Sequence, residues 1–100
     1  MNKIDLKPHE LKVVLKILQN HVPSYSVHAF GSRVTGKAKK FSDLDLVIMT
    51  KTPLDALVMY HINHAFEQSD LPFKVDIVDS ASISDEFKKI IELTSRELKQ

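Results

Sequence analysis

Cysteine and tryptophan are absent from the 100 residues, and there are only two glycines and four prolines. Without cysteine there can be no disulfide, no thiolate metal site and no sulfur nucleophile. A short chain lacking such staples must hold itself by packing alone, which suits the reducing cytoplasm. Its length predicts one domain over residues 1–100, with room for a real core but not for two. No stretch approaches the roughly 18 consecutive apolar residues of a membrane span. The opening MNKIDLKPHELK has no apolar run of the signal-peptide kind. An excess of charge of one sign is missing too: 14 Lys and Arg against 13 Asp and Glu give a formal net charge of +1. No global field therefore draws the molecule to nucleic acid or to an anionic membrane. Any affinity for phosphate must come from a local cluster.

What is present falls into alternating elements. Pro8 suits a first helical position, and Leu11, Val14, Leu15 and Leu18 recur at helical spacing, predicting a helix over 8–21 that ends before Pro23. Residues 25–30 read as a strand, 31–41 as a polar, basic loop, and the alternation of Leu44, Leu46 and Ile48 as a half-buried strand. A second helix is expected from Thr52-Pro53 to about Gln68, carrying Leu54, Leu57, Val58, Ile62, Ala65 and Phe66. Residues 72–79 read as a third strand. A last helix starts near Ser82 or Ser84, with Phe87, Ile90, Ile91 and Leu98 as its apolar stripe. Such an order predicts an α/β or α+β layer, a small sheet covered by helices.

Three carboxylates interrupt the strand-like runs: Asp43 and Asp45 in SDLDLVI and Asp76 in KVDIV. Side chains at i and i+2 of a strand share a face, with Cα atoms about 6.6 Å apart. If the two strands pair with their apolar faces shared, all three carboxylates meet on the other side. Three like charges in one place are unfavourable unless a cation joins them, and oxygen-only ligands favour a hard ion such as Mg²⁺ or Mn²⁺. The plain alternative is the wet face of an amphipathic strand. Asp is depleted in strands, so three in two short strands weigh against it.

Both glycines, Gly31 and Gly36, lie in one loop, which marks a place where backbone approaches something closely. Gly31-Ser32 follows the first strand directly, and the Ser hydroxyl can donate to a phosphate oxygen. Arg33, Lys37, Lys39 and Lys40 bring four positive charges into the same loop. A solvated turn is the competing reading.

Taken together, FGSRVTG, then SDLDLVI, then VDIVD resembles the nucleotidyltransferase superfamily of polymerase beta over roughly residues 10–98. The short length resembles its minimal nucleotidyltransferase (MNT) branch, the antitoxin-type partners of HEPN-domain toxins. The resemblance implies the polymerase-beta-like fold with a small mixed sheet flanked by helices. It implies that Gly31 and Ser32 hold the β and γ phosphates of a nucleoside triphosphate, with ATP the expected one. It implies that Asp43 and Asp45 ligate two divalent ions, Mg²⁺ or Mn²⁺, and that Asp76 ligates the catalytic ion and helps deprotonate the attacking hydroxyl. Arg33 and Lys37 would assist on the phosphate side, whereas Lys39 and Lys40 read as readily as a solvated tip. Members of this kind transfer a nucleoside monophosphate to a hydroxyl and release pyrophosphate. In the MNT branch the acceptor is a tyrosine of the HEPN toxin, which is thereby silenced. Larger members add a helical domain that grips the base, so here a HEPN partner or a second copy is expected to complete the pocket.

The other candidates are weaker. His61 and His64 share a helix face but lack a third ligand. His28 alternates with Val27 and Ala29 and is expected to cover the sheet. Asp79 reads as a strand-end acceptor, Asp70 as a turn residue. Met49, Met59, Tyr60, Phe66, Phe73 and Phe87 read as core, with Tyr60 alternatively in a partner interface. Two other functions compete: a binding module that neutralises a partner by occlusion, and a nucleic-acid binder using the four loop cations. The latter lacks interleaved aromatics, so no stable nucleic-acid binding is expected.

Overall fold

The computed structural model describes residues 4–98; the few residues of the expected 1–100 domain beyond these limits lie outside the description. Helix α1 spans Pro8–His21. Pro8 opens it, and the Glu10 carboxylate accepts from the Lys7 N–H at 2.9 Å, answering a donor the helix itself leaves free. Strand β1 covers Val27–Phe30 and leads through Gly31 into a single turn, α2, at Ser32–Thr35. Strand β2 is Leu44–Ile48 and α3 is Ala56–Glu67. Strand β3 is Val75–Asp79, followed by a 3₁₀ turn at Ser80–Ser82, then α4 at Asp85–Thr94 and a short β4 at Arg96–Glu97.

The strands form one mixed sheet in the order β3-β2-β1-β4. β1 runs antiparallel to β2 and to β4, whereas β2 and β3 are parallel, joined by the α3 crossover. Register sets the faces. Val27 lies opposite Ile48, Ala29 opposite Leu46, and Leu44 and Leu46 lie beside Val75 and Ile77. All of these point to the side covered by α1 and α3, where Val14, Leu18, Ile62, Phe66 and Phe73 complete the main core. The alternate residues face the other way. There α4 packs, with Phe87 edge-on to Phe30 at 5.4 Å between ring centroids and with Ile91 and Val47 buried.

Several boundaries differ from the sequence reading. α3 begins four residues later than Thr52, because Asp55 supplies the cap by accepting from the Leu57 N–H, and Pro53 keeps the chain extended before it. β1 and β3 are shorter at their starts than 25 and 72. Of the two serines offered as the cap of α4, Ser84 takes the role, accepting from Phe87 N–H at 3.2 Å. Leu98 is not on the helical stripe: α4 stops at Thr94, β4 pairs with β1, and the Leu98 N–H donates to Val27 O at 2.9 Å while its side chain enters the core. Ile90 faces solvent. Leu46, at the centre of β2, is fully buried. Leu46→Ala is expected to lower stability by about 2–5 kcal/mol, read from urea unfolding with an unchanged m-value.

Candidate active site

The edge of the site is built by a glycine. Gly31 sits at φ 79°, a conformation that side chains rarely adopt. A Cβ built there would strike Oδ2 of Asp45. The antiparallel register explains the meeting: Phe30 lies opposite Asp45, so the residue after Phe30 passes directly over the Asp45 carboxylate. Glycine is thus required twice, by the backbone angle and by the carboxylate packed against it.

The parallel pairing supplies the third acid. Asp45 and Asp76 are register partners, so their side chains leave the same face side by side. Asp43 precedes the strand, and the ladder begins one residue later, where the Leu44 N–H donates to Lys74 O at 2.9 Å. Asp45 is half-buried while Asp43 and Asp76 are exposed. The Asp45 carboxyl is pushed above the usual carboxylate range, first by burial, then by the charge of Asp76, then by that of Asp43. One carboxylate therefore feels both of the others. Among the described residues, however, no three acidic or histidine side chains close up as a ready-made metal cage. The expected cage is not closed: Asp45 and Asp76 are neighbours across the ladder, and Asp43 reaches Asp45 through its charge, since like charges have no reason to close on one another unaided. An all-oxygen donor set with surplus negative charge fits a hard divalent cation.

Ser32 opens the α2 turn, which is tied by Val34 N–H to Gly31 O at 3.0 Å and by Lys37 N–H to Ser32 O at 3.1 Å. Lys37, Lys39 and Lys40 are exposed. Arg33 is not with them. It is 4% exposed, and its guanidinium donates to the carbonyls of Ser42 (2.9 Å), Asp5 (2.7 Å) and Lys40 (3.1 Å) while lying 4.1 Å above the Phe73 ring. The expected phosphate helper is instead a brace. It fixes the loop that joins Gly31-Ser32 to Asp43, a role that no sequence pattern announced.

The remaining candidates separate cleanly. The Nδ1 of His28 lies 3.1 Å from Ser95 Oγ on the α4 face of the sheet, the covering role expected of it. Asp79 is buried and accepts from Leu54 N–H at 3.2 Å, as a strand-end acceptor should. His61 and His64 are exposed and flank Tyr60, whose ring stacks on that of His64 at 6.1 Å. Phe66 and Phe73 are core, and Met49, Met59 and Phe87 are half-buried, but Tyr60 is 61% exposed and not core. It occupies the solvent side of α3 because Ile62 and Phe66 hold the inward side.

A sheet with this topology, with an acid pair on adjacent parallel strands and a Gly-Ser bend against one of them, defines a class. The sequence matches the nucleotidyltransferase domain family over residues 11–99, and the chain belongs to that family. It is 53% identical, over 89 residues, to the probable protein adenylyltransferase MntA of Haemophilus influenzae, covering 89% of this chain and 78% of that protein. Solved structures agree in fold. A toxin–antitoxin crystal structure with AMP-PNP superposes with a TM-score of 0.73 at 23% identity, covering 89% of this chain and 72% of that one. The MNT antitoxin in complex with the tri-AMPylated HEPN toxin of Shewanella oneidensis gives 0.65 at 21% identity, covering 89% and 68%.

Two outcomes follow from the geometry. Gly31→Ala is expected to abolish detectable nucleotidyl transfer and to lower Tm, because the new methyl group must displace the Asp45 carboxylate. Asp45 has a pKa raised on folding, so it stabilises the fold only while protonated, and that contribution is lost as pH rises through its folded value. At neutral pH the metal-free domain carries the cost. Asp45→Asn should therefore raise the Tm of the metal-free protein at pH 7. NMR titration should find Asp45 protonating at a higher pH than an ordinary aspartate, and Asp76→Asn should lower it only part of the way, because burial is the larger cause.

Proposed function

We propose that this chain is a metal-dependent protein adenylyltransferase that moves AMP from ATP to a tyrosyl hydroxyl of a HEPN-domain toxin and so acts as its antitoxin. The observation that carries the reading is the Asp45 carboxylate held against the Gly31 backbone with Asp43 and Asp76 on the same face. It is supported by the high identity to a protein named as a probable protein adenylyltransferase, and by fold neighbours in which an MNT antitoxin accompanies an AMPylated HEPN toxin or AMP-PNP is present.

In this reading Gly31 and Ser32 bind the β and γ phosphates through backbone and hydroxyl, and Lys37 adds positive charge at the loop rim. Asp43, Asp45 and Asp76 would hold divalent ions, two Mg²⁺ or equally Mn²⁺, which supply charge neutralisation for the triphosphate and a more acidic attacking hydroxyl. Asp76 accepts the hydroxyl proton. The tyrosyl oxygen then forms its bond to the α phosphorus as the bond to the pyrophosphate oxygen breaks. Arg33 keeps the loop from drifting, so its effect on transfer is through position. The HEPN partner, or a second copy of the chain, completes the open side of the pocket. Among the described residues no helix is long and apolar enough to cross a membrane, and the work is assigned to the cytoplasm, where ATP and the partner meet.

The test pairs this protein with a HEPN-domain partner, Mg²⁺ and ATP, and reads intact mass and tyrosine-mapped peptides. An adenylyl adduct on the partner is expected. The Asp43→Asn/Asp45→Asn double variant should lose it by about a hundredfold or more, as when residues acting as one unit are removed. No adduct with any nucleoside triphosphate would sink the reading. Toxin neutralisation that survives the double variant would establish occlusion instead.

A further inference from the structure

The acidic face also holds a paired cation. Lys74 and Asp76 are two residues apart on the same side of the chain, and Lys74 Nζ lies 3.6 Å from Asp76 Oδ1. The Lys74 carbonyl receives the Leu44 N–H, which puts Lys74 beside the junction of Asp43 and Leu44 on β2. The ammonium is thus paired with Asp76, one of the two carboxylates whose charge burdens Asp45. It also lines, with Asp76, Asn63 and Glu67, a cavity of about 340 Å³ along the free edge of β3. Both partners are largely exposed, Lys74 at 72% and Asp76 at 52%, so the pair is loose enough to open without disturbing the fold.

We propose that Lys74 is a placeholder cation. It partners Asp76 while no divalent ion is bound, and it must release Asp76 when one enters. It is a positioning residue that acts through Asp76. The inference rests on the adenylyltransferase reading only in taking Asp76 to be a ligand. Its physical basis is competition: one carboxylate oxygen cannot serve an ammonium and a small divalent ion at full strength together. An exposed pair at this distance is weak, so the competition is modest, a few-fold and no more.

The experiment measures binding of Mn²⁺ alone to the metal-free protein, by water-proton relaxation at low ionic strength. Four single variants and one double are compared. Lys74→Met is expected to tighten Mn²⁺ about three- to fivefold, and Lys74→Arg to stay near wild type, because the charge is kept. Lys16→Met, which removes the same charge from the far side of the sheet, should leave the affinity unchanged. Asp76→Asn should weaken binding, and adding Lys74→Met to it should change nothing further, since the competition has lost its object. If Lys74→Met leaves affinity unaltered, or shifts it equally with and without Asp76, the placeholder role is overturned while the adenylyltransferase reading stands. If the wild type takes up no Mn²⁺ at all, both fall.

Discussion

Everything at the site depends on a single close approach, the Asp45 carboxylate packed against the backbone of Gly31. That contact needs three conditions at once. β1 must run antiparallel to β2, with Phe30 opposite Asp45. The residue after Phe30 must have no side chain and must accept a positive φ. And β3 must lie parallel on the other side, so that Asp76 rather than an apolar residue flanks Asp45. The right-handed crossover preferred for parallel strands explains why α3 must intervene: a parallel neighbour cannot be reached by a tight turn. The helix that builds the core is therefore also what brings the third acid to the face.

A site made of repelling charges has to be held together by parts that do not share its charge. Arg33 is the main such part. A buried guanidinium is costly unless its donors are met, and here three carbonyl oxygens, one before α1 and two from the loop leading into β2, meet them. The geometry explains why the loop can carry Lys37, Lys39 and Lys40 and still keep its path. The exposed cations are free to respond to a ligand because a buried one defines the loop. On the other side of the acids, Phe30 and Phe87 anchor α4 to the same face, so the carboxylates are bounded by an aromatic contact and a brace.

The parts of this arrangement that follow local rules were legible in the sequence. α1 was readable to the residue, because Pro8, the helical spacing of its leucines and Pro23 all act locally. The carboxylates were readable because aspartate is a poor strand former and three of them break apolar alternation. Parts that depend on distant contacts were not legible. β4 is two residues long and exists because it meets β1; with Leu98 following it into the core, its apolar signal mimicked one more turn of α4. Arg33 stood among other basic residues in a glycine-marked loop, and nothing in the local pattern separated the one that turns inward. The carbonyls that draw it in belong to residues 5, 40 and 42, and Phe73 arrives from far along the chain. Tyr60 misled for the opposite reason. Its helix carries more apolar residues than one buried face can hold, and the choice of which face turns inward is made by packing.

The gradient of exposure across the three acids has a mechanical meaning. Asp45 is half-buried and pinned by Gly31, while Asp43 lies before the ladder begins and Asp76 stands at the sheet's outer strand. One carboxylate is fixed by the fold, and the other two can adjust their rotamers at little cost. For a hard cation with strict geometry, such as Mg²⁺, that division is favourable: the pinned oxygen sets the location, and the adjustable ones complete the shell around it. It also limits what the isolated fold can do. A face whose outer acids are wet screens its own charges well, and in the proposed reaction the low-dielectric enclosure that strengthens electrostatic catalysis would come from the substrate and acceptor that cover it. On that reading, selectivity for the acceptor is built into the chemistry itself, since the surface that presents the hydroxyl would also be the surface that dries the site.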